Sequence, residues 1–276
     1  MKISVLISVY KSEKGAYLND ALKSIWDDQS YKPDEVILIE DGPLTDDLYA
    51  VIRKWKDAMH NCLVIVKNET NIGLTKSLNK GIDVAKYDVI ARMDSDDKSH
   101  PKRFERQIAF LKSHPEISVI GGSIQEFNDD NDCIGIRHYP STHTDVVKYI
   151  CKASPLAHPA VMIRKHIFDN GIRYNEKYKT SQDLALWFDL IYHGYQIANI
   201  EDVILYFRHN EDIYKRRGKE KAKNELKIYL KGIKQLYGLF TPKFAYPIMR
   251  YLFRLTPTSI KRFIYNSSLR ETLLNK

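Results

Sequence analysis

The stretch VIARMDSDDKSHPKRF, residues 89–104, decides the fold of this chain. An apolar, strand-like run ends in three carboxylates within four residues, namely Asp94, Asp96 and Asp97. Like charges at the end of a strand cost free energy unless something positive lies close to them. The stretch therefore predicts a strand whose carboxyl end forms a charged site.

Strand and helix patterns alternate over residues 1–125. Apolar strand-like runs are separated by segments in which apolar residues recur every three or four positions. Such alternation predicts an α/β fold with a mostly parallel sheet and helices on both of its faces. We place strands at 2–10, 35–42, 62–68, 87–94 and 116–122, and helices at 17–28, 46–57, 73–85 and 100–114.

Polar residues follow the predicted strands at the points where the strands end. Ser8 to Tyr10 close the first strand, Asp41 the second, Asn71 follows the third, and residues 94–97 close the fourth. In open α/β sheets, ligands bind beyond the carboxyl ends of the strands. The pattern therefore predicts a ligand site at this edge of the sheet.

The acidic cluster has two open interpretations. Carboxylates spaced like Asp94 and Asp96 can hold a hard divalent cation, and magnesium sites usually add substrate phosphates and water. An EF-hand loop fits poorly, because Ser99 stands where that loop needs glycine. Alternatively, Asp96 and Asp97 are solvated and cap the following helix. Residue types alone leave the metal–diphosphate and capping interpretations open.

Size, charge and cysteine usage narrow the class of protein. The chain has 276 residues, 43% of them hydrophobic, which suits one large domain with an appendage. Its net charge of +8 divides into +13 over residues 213–276 and −5 over residues 1–212. Because the main domain is acidic, we expect no nucleic-acid partner. Three widely spaced cysteines, no secretory signal and no apolar run of about 18 residues favour a cytoplasmic protein.

Five motifs follow one another in a specific order: SVLISVYKSE (4–13), ILIEDGP (37–43), NETNIGLTKSLNKGI (68–82), ARMDSDD (91–97) and TSQDLALW (180–187). Together they resemble the nucleotide-sugar-dependent glycosyltransferases of family 2, which have the GT-A fold. The most similar members build bacterial O-antigen, capsule or exopolysaccharide. The resemblance implies a GT-A domain over 1–212, with a nucleotide-binding half at 1–125 and an acceptor-binding half at 126–212.

The resemblance assigns a role to each matching position. Asp41 would accept a hydrogen bond from the base, and Asn71 and Gly73 would lie near base and ribose. Arg92 would contact the nucleotide, although a salt bridge to Asp94 is an equal alternative. The residues expected to bind the nucleotide are Ser8, Val9, Tyr10, Asp41, Asn71, Gly73, Arg92 and Asp94.

The same resemblance implies the metal site and the catalytic base. Asp94 and Asp96 match the motif that holds Mn²⁺ or Mg²⁺ on the diphosphate, and His209 would touch the metal or lie at the surface. Asp183 matches the base, although Gln182 stands where many relatives have Glu. The alternative for Asp183 is a first-turn aspartate favoured by the helix dipole, with Ser181 as the N-cap. For His158 and Trp187, an acceptor contact and a buried position both remain open.

The implied activity is that of an inverting glycosyltransferase. It would move a hexose such as galactose, or an N-acetylhexosamine, from a UDP-sugar to a polyprenyl-diphosphate-linked saccharide in bacterial surface polysaccharide synthesis. One alternative is a catalytically inactive nucleotide- or glycan-binding subunit. The other is a sugar nucleotidyltransferase, which would need a glycine-rich loop where this chain has VYKSEKG at 9–15.

The basic tail at residues 213–276 interleaves aromatic residues with lysine and arginine in a helical pattern. Such segments suit an anionic membrane surface. We expect a peripheral contact with the inner face of the plasma membrane. The alternative is a helix that packs on the domain with its cationic face in water.

Overall fold

The structure is a computed structural model that describes residues 1–209 and 219–255. The strands are β1 (Ile3–Val9), β2 (Glu35–Asp41), β3 (Leu63–Asn68), β4 (Val89–Asp94), β5 (Lys98–Ser99), β6 (Ile117–Phe127), β7 (Cys133–Arg137), β8 (Met162–Arg164) and β9 (Gln196–Arg208). The helices are α1 (Gly15–Ile25), α2 (Asp46–Met59), α3 (Leu74–Val84), α4 (Arg103–Ser113), α5 (His143–Tyr149), α6 (His166–Asp169), α7 (Gln182–Tyr192), α8 (Lys219–Tyr237) and α9 (Ala245–Leu255). All nine strands belong to one sheet.

The sheet is parallel in its first half and mixed in its second. Strands β3, β2, β1 and β4 lie side by side and run parallel, as the sequence predicts. The short strand β8 then enters between β4 and β6 and is antiparallel to both. Strand β6 pairs in parallel with β9, while β7 and β5 add antiparallel edges. Because β8 is antiparallel to both β4 and β6, strands β6 and β9 run in the same direction as β1 to β4. The mostly parallel sheet that the sequence predicts is therefore confirmed, with β5, β7 and β8 as its antiparallel strands.

Helices cover both faces of the sheet, which explains why β1 and β2 are almost continuously buried. Side chains alternate between the two faces of a strand. In β1, Ile7 packs in the core with α1, α2 and α4, whereas Leu6 packs in the opposite core with α3, α7 and α8. The predicted coverage of both faces is confirmed.

The described part of the basic tail forms two helices that pack on the domain. In α8, the ring of Tyr229 meets Phe188 of α7 edge-on, with centroids 5.9 Å apart. Gly232 allows this approach, because a Cβ there would lie 2.2 Å from Phe188 Cγ. Within residues 1–209 and 219–255, no helix is both long enough and apolar enough to cross a membrane. The remainder of the tail lies outside the described residues. It includes most of the basic segment YKRRGK (214–219), which the sequence offers either as a loop over the diphosphate or as a solvated run of charges.

Candidate active site

A cleft of about 380 Å³ opens at the carboxyl ends of β1, β2 and β4. This is the edge of the sheet at which the sequence predicts a ligand site. The structure brings seven of the predicted site residues to this cleft and adds others. Its lining consists of Ser8, Tyr10, Glu13, Asp41, Asn71, Gly73, Leu74, Asp94, Ser95, Asp96, Phe207 and Arg208.

Asp41 shapes one wall of the cleft. Its Oδ1 accepts hydrogen bonds from Asn68 Nδ2 at 3.0 Å and from the Ile72 N–H at 2.9 Å. Its Oδ2 accepts one from the Gly73 N–H at 3.0 Å. A carboxylate oxygen can accept two hydrogen bonds, so Oδ2 retains capacity for one ligand donor. The buried side chain therefore both orders the loop that leads into α3 and faces the cleft.

Glycine is required where this loop crosses the end of β2. Gly42 has φ +87°, and a Cβ on it would lie 2.6 Å from the backbone nitrogen of Asn71. Gly73, the residue before α3, has φ +88°. Both backbones occupy the region that favours glycine. The positions of Asn71 and Gly73 in the cleft thus follow from local chain geometry.

Asp94 and Asp96 form the opposite wall, and a third carboxylate, that of Asp97, lies next to them. Oxygen atoms of Asp94, Asp96 and Asp97 all lie within 4.8 Å of one another. Asp97 is buried, its Oδ1 accepts the Arg208 N–H at 2.8 Å, and its Oδ2 has no hydrogen-bond partner among the residues that the structure describes. Burial, followed by the charges of Asp96 and Asp94, raises the pKa of Asp97 well above its usual value. Such a group of oxygen ligands, with one orphaned buried oxygen, fits a hard divalent cation.

Two buried arginines supply the positive charge that the sequence requires beside this cluster. Arg92 forms an ion pair with Asp94, and Arg208 Nε donates to the main-chain oxygen of Asp96 at 2.8 Å. The Arg92 side chain is only 3% exposed and is not part of the cleft lining. The structure therefore favours the salt-bridge alternative for Arg92 over a direct nucleotide contact.

The capping interpretation of the acidic cluster is wrong. Helix α4 begins at Arg103, and its N-cap residue Lys102 makes no side-chain capping hydrogen bond. The chain first forms β5, which pairs with β9 at Ser99 and Leu205. Strand pairing thus separates Asp96 and Asp97 from the helix. Asp96 lines the cleft instead, and Asp97 is buried next to it.

Two other predicted residues lie differently from their expected places. The side chain of Val9 is completely buried in the core, because it shares a face of β1 with Ile7. The N–H of His209 donates to Phe127 O at 2.7 Å, which continues the pairing of β9 with β6. Among the described residues, the candidate metal group contains the three aspartates and not His209.

Asp183 lies in the first turn of α7 and is partly buried. Burial raises the pKa of its carboxyl, while main-chain N–H groups and the charges of Lys221 and Arg92 oppose that rise. The predicted N-cap, Ser181, has a left-handed backbone with φ 58° and makes no side-chain capping bond. The carboxylate is therefore held at a helix N-terminus without a competing serine cap. A raised pKa suits a general base that works near neutral pH.

A buried polar cluster connects the surroundings of Asp183 with those of Asp94. The hydroxyl of Tyr174 and His158 Nε2 are hydrogen-bonded at 2.8 Å. Burial raises the pKa of Tyr174. The charge of Arg92 opposes that rise, and the charges of Asp183 and Asp94 add to it. Burial, followed by the charge of Arg92, holds the pKa of His158 well below its usual value, which favours the neutral imidazole. The two carboxylates thus share one electrostatic environment.

Trp187 packs at the edge of this cluster. Its ring lies edge-on to that of His158, with centroids 6.2 Å apart. The side chain is completely buried. Its predicted contact with an acceptor sugar is therefore not supported, and the core alternative holds.

Sequence reasoning missed several residues of the cleft. Ser95 donates to Glu13 Oε2 at 2.7 Å, and both line the cleft. Phe207 and Arg208 reach it from the end of β9, because β9 pairs with β6 over some 80 residues of chain separation. The signal that could have found Arg208 is its place as a polar residue at the end of a strand, because such residues also define the other walls of the cleft.

Comparison with known proteins agrees with this geometry. The sequence profile described as Glycosyl transferase family 2 matches residues 4–172. The amylovoran biosynthesis glycosyltransferase AmsE of Erwinia amylovora is 34% identical over 264 residues, which are 95% of this chain and 97% of that protein. A UDP-Gal:alpha-D-GlcNAc-diphosphoundecaprenol beta-1,3-galactosyltransferase of Escherichia coli is 31% identical over 99% of this chain and 98% of that protein.

Solved structures share the fold. S. aureus TarS 1–349 in complex with UDP-GlcNAc superposes with a TM-score of 0.67 at 19% identity, over 99% of this chain and 78% of that one. The mannosyltransferase PcManGT of Pyrobaculum calidifontis, in complex with GDP-Man and Mn²⁺, gives 0.65 at 14% identity over the same shares. The sheet and these neighbours define the GT-A fold, and the family profile shows that the chain is a glycosyltransferase. The chain belongs to glycosyl transferase family 2.

Proposed function

We propose that the protein is an inverting glycosyltransferase of bacterial surface polysaccharide synthesis. It would transfer a hexose such as galactose, or an N-acetylhexosamine, from a UDP-sugar to a polyprenyl-diphosphate-linked saccharide. The names of two relatives support the pathway and the acceptor class, since one makes amylovoran and the other uses a diphosphoundecaprenol-linked acceptor. UDP-Gal in the name of one relative and UDP-GlcNAc in one structural neighbour support the donor class.

One observation carries this proposal: a single cleft has Asp41 on one wall and Asp94 and Asp96 on the other, with the buried Asp97 next to them. The free acceptor capacity of Asp41 Oδ2 suits the N3–H of a uracil base. Ser8 and Tyr10 lie between these walls. A nucleoside diphosphate bound across the cleft would therefore place its base at Asp41 and its diphosphate at the aspartates.

Asp94 and Asp96, together with the orphaned Oδ2 of Asp97, would hold Mn²⁺ or Mg²⁺. Such an ion, when bound, neutralises the charge of the diphosphate leaving group as a Lewis acid. Arg92 and Arg208 hold the carboxylates in place through the ion pair with Asp94 and the hydrogen bonds to Asp96 and Asp97.

Asp183 would act as the general base. Its raised pKa favours acceptance of a proton from the acceptor hydroxyl as that oxygen attacks the anomeric carbon. A single displacement of this kind inverts the anomeric centre. One carboxylate base is sufficient, whereas glycoside hydrolases use two carboxylates that flank the bond.

The division into a nucleotide-binding half at 1–125, an acceptor-binding half at 126–212 and a tail at 213–276 remains part of the proposal. So does a peripheral location on the inner face of the plasma membrane, where a polyprenyl-linked acceptor would be reached. A sugar nucleotidyltransferase is disfavoured, because α1 begins at Gly15 directly after VYKSEK, without a glycine-rich phosphate loop.

The test is a panel of nucleotide sugars with a synthetic polyprenyl-diphosphate-linked saccharide, in Mn²⁺, Mg²⁺ or EDTA. We expect metal-dependent transfer from a UDP-sugar, and NMR should show a β-linked product from an α-linked donor. Asp94→Asn should abolish transfer, while Asp130→Asn, an exposed aspartate of the turn before β7, should not. Saturable UDP binding without transfer to any acceptor would instead support the inactive-subunit alternative.

A further inference from the structure

In helix α9 the two charged residues face the protein and not the solvent, which is the reverse of an ordinary surface helix. Arg250 Nη2 lies 2.9 Å from Glu225 Oε1 of α8, and Arg254 pairs with the other oxygen of the same buried carboxylate. Arg250 Nη1 also donates to the main-chain oxygen of Lys152 at 3.1 Å. Pro247 is buried on this side. The polar face of α9 is thus used to attach the helix to the protein.

The opposite face of α9 is apolar and exposed to solvent. Because residues three and four apart share a helix face, the residues on this side form one continuous stripe. Charged residues of α9 do not interrupt it, since Arg250 and Arg254 both lie on the other side. A contiguous exposed apolar patch of this kind marks an interaction surface. The outward face consists of Tyr246, Ile248, Met249, Leu252, Phe253 and Leu255, which are 40% to 58% exposed.

The net charge of the tail as a whole favours a bilayer as the occupant of this face. Residues 226–276 contain ten lysines and arginines but a single acidic residue, Glu271. On α8, Lys223, Lys227, Lys231 and Lys234 are exposed at helical spacing. Anionic phospholipid headgroups attract such lysines, while a second copy of this chain would bring like charge against them.

Aromatic residues and helix length agree with an interfacial position. Phe240, in the turn before α9, is completely exposed. The described part of α9 has 11 residues, and at 1.5 Å per residue this part is roughly 16 Å long, less than the thickness of a membrane. We infer that the outward face of α9 docks on an anionic phospholipid bilayer with its helix axis in the membrane plane. The inference rests on the proposed function in one respect: docking on the bilayer would bring the enzyme to a membrane-borne acceptor.

The test is co-sedimentation of the full-length protein with vesicles of phosphatidylglycerol and phosphatidylcholine that contain no polyprenyl lipid. Met249→Glu/Leu252→Glu should weaken partitioning at least about tenfold, because two apolar side chains are replaced by charges. The matched control is Ile134→Glu/Ile136→Glu on β7, where the residues are 52% and 53% exposed. The control should partition like the wild type, and pure phosphatidylcholine should bind both wild type and control about tenfold less.

Two measurements keep the inference falsifiable if the double variant folds poorly. Thermal unfolding reports its fold, and Leu252→Trp in the otherwise unchanged chain should gain quenching by brominated lipids relative to wild type. Unchanged vesicle binding by the double variant, or no added quenching of Leu252→Trp, would overturn the inference. So would light scattering that shows wild-type dimers and variant monomers with equal vesicle binding, because the occupant would then be a second copy.

Transfer to a short-chain, water-soluble acceptor is measured separately on the same proteins. Failure of that assay with the wild type would count against the proposed function. The vesicle assay needs neither donor nor acceptor, so its result would still test whether the outward face of α9 docks on a bilayer.

Discussion

Asp97→Asn should stabilise the metal-free protein, although it changes a buried residue of the active site. The asparagine keeps an oxygen to accept the Arg208 N–H, which Asp97 Oδ1 accepts at 2.8 Å. The new amide replaces Oδ2, which has no hydrogen-bond partner among the described residues. The substitution therefore removes a buried charge and leaves the one hydrogen bond of the side chain intact.

The magnitude follows from the spacing of the carboxylates, whose oxygens lie within 4.8 Å of one another. At an effective dielectric constant of about 20, two like charges at that separation repel by about 3.5 kcal/mol. Asp97 meets two such neighbours, Asp94 and Asp96, and Arg92 offsets part of the repulsion. We expect the free energy of unfolding without metal to rise by about 1–3 kcal/mol at neutral pH.

The sign of the pH dependence follows from the raised pKa of Asp97. Because the folded state favours the protonated carboxyl, protonated Asp97 contributes its full stabilisation to the fold below the unfolded pKa of about 3.9. That stabilisation is lost as pH rises through the higher folded pKa. The gain from Asp97→Asn should therefore be largest above the folded pKa and should shrink toward pH 4.

The assay is urea unfolding in EDTA at several pH values, repeated with Mn²⁺. Manganese should stabilise wild type more than Asp97→Asn, because the variant loses a candidate ligand. Asp130→Asn, at an exposed aspartate, serves as the control and should change little under either condition. A loss of stability of Asp97→Asn in EDTA, or a gain of equal size at every pH, would refute this reasoning.

Three further predictions concern the base and the loop. Asp183→Asn should lower kcat about 10²- to 10⁴-fold with UDP affinity unchanged, and near-normal turnover would show that Asp183 is not the base. For the wild type, kcat should fall as the pH is lowered and Asp183 becomes protonated, and this fall should occur above the usual aspartate pKa of about 3.9. A kcat that stays constant down to that pH would contradict this prediction. Gly42→Ala should destabilise the protein by about 2 kcal/mol or more and weaken UDP binding, because a Cβ there would lie 2.6 Å from Asn71 N. Gly135→Ala, where a Cβ meets no atom within 4 Å, is its control in urea unfolding and UDP titration.

The parallel half of the fold and most of one site wall could be predicted because their signals are local. Strands β1 to β4 are nearly continuous apolar runs, and the polar residues that end them lie next to them in sequence. Once a parallel sheet is assumed, Asp41 and Asp94 must lie at the same edge. The glycines beside Asp41 follow from the same turns.

The second half could not be predicted because its pairings are long-range. Strand β8 has three residues, which give no periodic signal, yet it separates β4 from β6. Arg208 reaches the acidic cluster only because β9 pairs with β6. The inward arginines of α9 likewise depend on Glu225, a partner that a helical pattern alone does not identify.

The most direct test of the account is a crystal structure with UDP and manganese, with the ion located by its anomalous scattering. We predict one manganese ion bound by the carboxylates of Asp94 and Asp96, with the uracil beside Asp41. An ion bound elsewhere, or a nucleotide outside the cleft between Tyr10 and Asp41, would contradict the central claim.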